Sequence, residues 1–248
     1  MRAVILAAGR GSRLGAIGEG RPKCLVELAH KPLIRRQIEA LRGGGVSTIG
    51  IVRGYLGNMV NIEDATYFEN PRWAETNMVM SLAAAASWLQ ADSVVISYAD
   101  IFYGRDIVRE LAASSGDLVV AYDRGWRSLW TRRFADPLSD AETFRTDAGG
   151  NLIEIGRRTT HIEDIEGQYM GLLKFTPQAW RAVEALLTSV DAKTRDRMDM
   201  TTLLGTLLES SFPIKTVNIS GQWGEIDSSG DLELYEQMIR EGDLCIEN

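Results

Sequence analysis

A short apolar run that ends in a glycine-rich turn constrains this chain more than any other feature. Residues Ala3-Val4-Ile5-Leu6-Ala7-Ala8 read as a buried strand, and Gly9-Arg10-Gly11-Ser12-Arg13-Leu14 follows without a break. A strand that runs into such a turn carries backbone N–H groups close to a ligand. Glycines at positions 9 and 11 remove the Cβ atoms that would block the approach. Successive N–H groups in a turn of this kind form a concave anion site. Arg13 and Lys23 add fixed positive charge beside it. The arrangement suits a nucleoside triphosphate whose phosphates are under attack.

Strand and helix patterns then alternate. Leu33 to Arg42 reads as a helix closed by Gly43-Gly44-Gly45, Thr48 to Val52 as a strand, and Asn77 to Leu89 as one buried helix. Ser93 to Ala99 is an apolar, β-branched strand that leads to Asp100; Asp106 to Ala113 is helical and Leu118 to Tyr122 extended. The pattern loosens between Asp123 and Asn151. Asn151 to Ile155, Tyr169 to Phe175 and Ile214 to Ile219 read as strands, Pro177 to Leu187 and Met198 to Ser210 as helices. A last helix starts near Ser228, with Ser228 or Ser229 as its cap and Asp231 in its first turn. Strands that alternate with helices predict an α/β fold of three layers (αβα), Rossmann-like, around a mostly parallel sheet. Ligands of such sheets sit at the carboxyl ends of the strands, where the opening loop and Asp100 both fall. Residues 1–248 are expected to form a single domain with an insertion or lid at about 123–165.

The bulk numbers exclude several roles. A formal net charge of −7 leaves no electrostatic footprint for nucleic acid. Cys24 and Cys245 have no metal spacing and read as reduced thiols, and two histidines, His30 and His161, supply no metal cluster. The first apolar run reads as a core strand and not a signal peptide. The uncharged stretch from Thr76 to Ala91 is too short to span a bilayer. A cytoplasmic location with no membrane partner is the expectation.

Neither the P-loop pattern nor the dinucleotide fingerprint fits the opening loop, because Gly-Lys-Ser/Thr and the third glycine are both missing. The whole block is more specific. Leu6-Ala7-Ala8-Gly9-x-Gly11-x-Arg13-Leu14, then Pro22-Lys23-x-Leu25, then His30-Lys31-Pro32-Leu33-Ile34, resembles the signature of the sugar-nucleotidyltransferase-like superfamily. Thr76-Asn77-Met78-Val79-x-Ser81-Leu82 stands where sugar-phosphate enzymes usually carry a glycine-rich segment, and is similar to the phosphocholine and 2-aminoethylphosphonate cytidylyltransferases. Trp223-Gly224-Glu225-Ile226-Asp227 and Tyr169-Met170-Gly171-Leu172-Leu173 fit the same subgroup.

The resemblance implies a nucleotide-diphospho-sugar transferase fold and a set of roles. Leu6, Ala8 and Gly9 would face base and ribose; Gly11, Ser12 and Arg13 would hold the triphosphate; Lys23 would reach the α-phosphate or the incoming phosphate. Asn77 and Ser81 would lie near cytosine and ribose. Asp100 and Asp227 would bind Mg²⁺, which usually takes one or two carboxylates plus substrate phosphates; Glu225 would be a further ligand or orient the substrate. Trp130, Tyr169, Gly171 and Trp223 would meet the acceptor, since aromatic faces attract quaternary ammonium groups. Asp123 and Asp136 are the acids available for a primary ammonium. Arg132 and Arg133 are either a cue for an acidic acceptor or a solvated pair. The expected reaction is Mg²⁺-dependent transfer of CMP from CTP to a small phosphorylated or phosphonate metabolite. CTP and that metabolite are the expected partners, with a homodimer left open. The alternatives are a sugar-1-phosphate uridylyl- or guanylyltransferase and a non-catalytic nucleotide-binding subunit.

Overall fold

The computed structural model describes residues 1–219 and 223–246. Among them seven strands make one sheet: β1 (Arg2–Ala7), β2 (Thr48–Arg53), β3 (Ala65–Glu69), β4 (Val94–Tyr98), β5 (Leu118–Asp123), β6 (Gln168–Phe175) and β7 (Ile214–Ile219), in spatial order β7-β5-β6-β4-β1-β2-β3. Every pairing is parallel except those of β6, which runs against both β4 and β5. The mixed, mostly parallel α/β architecture is therefore the one the alternation predicts.

Why the central strands carry no polar face is plain from their two sides. Ala3, Ile5 and Ala7 pack on Ile34, Ile38 and Leu41 of α1 (Leu33–Gly43), and that cluster also holds Ile107, Val108 and Leu111 of a later helix spanning Arg105–Ala113. Val4 and Leu6 point the other way, into a cluster with Val79 and Leu82 of α2 (Met78–Ala83) and Leu89 of α3 (Ala86–Ala91). The Arg105–Ala113 helix is α4; α5 (Trp126–Arg133) joins the α1 face, whereas α6 (Pro177–Ser189) and α8 (Met200–Glu209) join the other. Each fully buried Leu, Ile or Val contributes about 1.5–3 kcal/mol of apolar transfer. Two helical layers thus bury the sheet on both sides. The remaining helices are α7 (Ala192–Arg197), capped by Asp191, and α9 (Ser229–Glu241). α9 begins as expected: Ser228 Oγ accepts from Asp231 N–H, and the Asp231 carboxylate accepts from Ser228 N–H.

Three expectations change. The helix expected over Asn77–Leu89 is two helices, because Ala84 N–H turns to Ser81 O and Ala85 N–H to Leu82 O. These shorter-period bonds tighten the chain and redirect its axis. The loose stretch after Asp123 contains α5, a turn at Pro137–Ser139 and a hairpin of Phe144–Thr146 with Leu152–Ile155. Trp126 and Trp130 lie one helical turn apart and make the buried face that the charges around them disguise. β3 and α7, unread in the sequence, are a sheet edge and a short, largely exposed helix; neither carries a strong apolar period.

Candidate active site

Strand registers bring distant residues to one place. Leu6 of β1 pairs with Tyr98 of β4, so the glycine loop and Asp100 leave the sheet side by side. A short strand, Ile101–Tyr103, then pairs antiparallel with Trp223–Glu225, and Glu225 stands opposite Ile101. Ile226 N–H donates to Asp100 O at 2.9 Å. This pairing brings Glu225 and Asp227 up to Asp100. Oxygens of the three carboxylates lie within 4.8 Å of one another.

Lys23 fills the space between them. It opens a single 3₁₀ turn behind Pro22, its side chain only 12% exposed, and its Nζ donates to Asp100 Oδ2 at 2.7 Å and to Asp227 Oδ1. Gly11 is what lets it lie there. With φ at +67°, and with a Cβ that would fall 2.9 Å from Lys23 Cβ, position 11 accepts no side chain. Arg13, largely exposed, reaches the same Asp227 oxygen at 3.1 Å. Burial alone would lower the Lys23 pKa, but the surrounding Asp100, Asp227 and Glu225 charges outweigh it and hold the ammonium protonated. Burial pushes Glu225 up, and repulsion from Asp100 and Asp227 adds to the rise. Asp227 is buried as well, yet Lys23 and Arg13 keep it below the usual carboxylate range. Asp100 Oδ1 is buried without a hydrogen-bond partner. An all-oxygen donor set with an unsatisfied buried oxygen fits a hard divalent cation.

A cleft of about 270 Å³ leads away from this knot. Leu6, Ala8, Gly9, Gly11, Ser12, Arg13, Lys23, Asn77, Ser81 and Asp100 all line it. The structure thus brings together every residue that the sequence assigned to nucleotide or phosphate, and Asp100 with them. Trp73, Thr76, Met78 and Tyr98 also line it and were missed. Tyr98 lies in the strand read over Ser93 to Ala99, two residues before Asp100, and its place at a strand end was the available signal.

The acceptor side departs from expectation. Trp130 is 2% exposed, packed with Trp126, Phe134 and Trp223, and donates its indole N–H to Asp140. It does not reach the cleft, because α5 turns its apolar face to the core. Trp223 is likewise buried and donates to Asp123 Oδ2 at 3.0 Å, while Asp123 Oδ1 caps Gly125 N–H. Asp136 caps the turn at Leu138. Both acids are thereby engaged in structure. Tyr169 meets Tyr98 edge to face, 5.8 Å between ring centres, which keeps it at the strand ends beside Asp100. Gly171, at φ +77°, sits where the register of β6 shifts; a Cβ there would strike the Tyr98 ring at 2.7 Å.

Arg132 and Arg133 part company. Arg132 is exposed and pairs with Asp243 at 3.0 Å. The Arg133 side chain is only 1% exposed, lies over the Trp130 and Phe134 rings, and donates from Nε to Asp231 Oδ1 at 2.8 Å. The other Asp231 oxygen accepts from Asp227 and Ser228 N–H. One carboxylate therefore ties Arg133 to the main chain of the late acidic segment. A charge run alone gives no sign of such burial.

The profile of the MobA-like NTP transferase domain matches residues 3–191. The chain belongs to this family. As a MobA-like NTP transferase it is a nucleotidyltransferase. It is 38% identical to the CTP:phosphoglutamine cytidylyltransferase of Campylobacter jejuni, over 94% of this chain and 98% of that protein. The choline-phosphate cytidylyltransferase of Streptococcus pneumoniae is 38% identical over a shorter stretch, 44% of this chain and 48% of that protein. In fold, the inositol-1-phosphate CTP transferase of T. maritima superposes with a TM-score of 0.76 at 19% identity, covering 98% of each chain. Among the described residues no helix is long and apolar enough to cross a membrane.

Proposed function

We propose that this MobA-like NTP transferase moves CMP from CTP onto a phosphoryl or phosphonyl oxygen of a small metabolite and releases pyrophosphate. The observation that carries the reading is the knot of Asp100, Glu225 and Asp227 around Lys23, with Arg13 at its rim, closing the end of a cleft lined by the glycine loop. Similarity along nearly the whole chain to a CTP:phosphoglutamine cytidylyltransferase makes CTP the donor and a phosphorylated amino-acid amide the acceptor to test first.

The acceptor oxygen attacks the α-phosphorus of CTP; that P–O bond forms as the bond to pyrophosphate breaks. The acceptor is already an anion, so no side chain needs to remove a proton. Rate then depends on positioning and on offsetting charge. Lys23 donates to the α-phosphate from a position fixed by Gly11. Arg13 and the N–H groups of Gly11 and Ser12 hold the outer phosphates. Leu6, Ala8 and Gly9 face Asn77 and Ser81 across the base. Asp100 and Asp227, with Glu225 beside them, would hold Mg²⁺, which would supply neutralisation of the negative charge on the phosphates. Tyr169 and Gly171, with the 123–165 insertion of a single 1–248 domain, frame the acceptor.

Pyrophosphate release over a grid of nucleotides and acceptors tests this. The grid pairs CTP, UTP, dTTP and GTP with phosphoglutamine, phosphocholine, 2-aminoethylphosphonate and glucose 1-phosphate. Release that needs CTP, and that stops with EDTA and returns with Mg²⁺, supports the reading. Release from UTP, dTTP or GTP with glucose 1-phosphate in place of CTP overturns it.

A further inference from the structure

Asn70, which nothing in the sequence marked, is hydrogen-bonded to Ser81, one of the residues that line the cleft. It follows β3 directly and is buried. Its side-chain Oδ1 accepts from Arg72 N–H at 3.0 Å. A backbone N–H can only donate, so this contact fixes which end of the amide is oxygen. Nδ2 must then donate, and it stands 3.0 Å from both Thr76 Oγ1 and Ser81 Oγ. The Thr76 hydroxyl spends its own proton on Arg72 O at 2.9 Å. Ser81 receives a hydrogen bond from Asn70 and, among the described residues, has no recorded acceptor for its proton. Ser81 is a buried residue of α2, yet it lines the cleft with Trp73 and Asn77. The cleft is thus its remaining outlet.

We propose that Asn70 is a specificity-determining positioning residue: it holds Ser81 as a hydrogen-bond donor into the cleft, so that the site prefers a pyrimidine with an acceptor at N3 over one with an N–H there. Cytosine presents the lone pair; uracil presents N3–H, which would meet the Ser81 proton head on. A site built to donate rejects a ligand that cannot accept, because the buried donor is left unpaired. The inference rests on the CTP reading above and deepens it.

The test is calorimetric binding of CTP and UTP to the full chain, which needs no acceptor. In Asn70→Asp, Oδ1 keeps its bond to Arg72 N–H, but Oδ2 replaces the donor. Thr76 is already committed to Arg72 O, so Ser81 is the hydroxyl that turns its proton inward and shows the cleft an acceptor. The CTP:UTP affinity ratio is expected to move toward UTP by about tenfold, the size of one hydrogen bond. Ser81→Ala places a strong helix former in α2, which favours folding, and should erase most of the preference. Either variant retaining the wild-type ratio overturns the proposal, since Ser81 would then face O2, which both bases share. A wild-type protein that prefers UTP overturns the CTP reading itself, which is a different failure from unchanged ratios in a CTP-preferring enzyme.

Discussion

Both ends of the site were assigned residues from the sequence, yet the structure treats them differently. At the nucleotide end, Leu6, Ala8, Gly9, Gly11, Ser12, Arg13, Lys23, Asn77 and Ser81 converge on one cleft. At the acceptor end, Trp130 and Trp223 withdraw into a shared aromatic cluster, and only Tyr169 and Gly171 stay beside Tyr98 at the strand ends. The difference lies in what kind of constraint each motif expresses. Glycine at positive φ and lysine after proline report main-chain geometry, which has few uses besides a close approach. A tryptophan reports only a large apolar surface, and the core competes for it on equal terms with any ligand.

That contrast can be broken or sharpened experimentally. Trp130→Ala should destabilise the fold by about 4 kcal/mol, as large buried truncations do, read as a lowered denaturant midpoint. Its companion Trp130→Phe should keep the acceptor KM near wild type. A raised KM with intact stability would return Trp130 to the acceptor site and erase the contrast. Next, Arg133→Ala should cost about 3 kcal/mol by leaving Asp231 buried and unpaired, whereas Arg132→Ala next door should stay within about 1 kcal/mol. Equal effects would mean that the buried side of α5 carries no special load. For the nucleotide end, Lys23→Ala should lower pyrophosphate release at least ~10²-fold, the loss of one preorganised donor, with circular dichroism unchanged. Turnover near wild type would remove Lys23 from the chemistry. The smallest effect concerns thiols. Burial pushes Cys24 up to about 12, while Cys245 is exposed. A thiol reagent at neutral pH should label Cys245 alone in the folded chain, with no loss of activity, and reach Cys24 only after denaturation.

Much of the fold was legible because burial on two sides leaves a two-sided record: Ala3–Ala7 of β1 and Val94–Ile96 of β4 are apolar on both faces, and helices start at readable caps such as Ser228. β3 was not legible, since it lies at the sheet edge and keeps Thr66 and Glu69 exposed. α5 was hidden because Arg127, Arg132 and Arg133 surround the two tryptophans that define its buried face. Arg133 looked like half of a surface pair; its enclosure comes from Trp130, Phe134 and an aspartate in a different helix.

The sequence by itself determined the local devices: a strand, a turn with two glycines, a lysine after proline and a capped last helix. Each depends on residues a few positions apart, whose backbone preferences act in any context. Tertiary structure alone decided which charges meet. Lys23 and Asp227 are 204 positions apart, and they touch because Trp223–Glu225 pairs with Ile101–Tyr103 beside the end of β4. It also decided that Asn70, an unremarked turn residue, donates its amide to a serine that lines the cleft. Hydrogen-bond direction is set by every partner in the network at once, and those partners are assembled only by the fold.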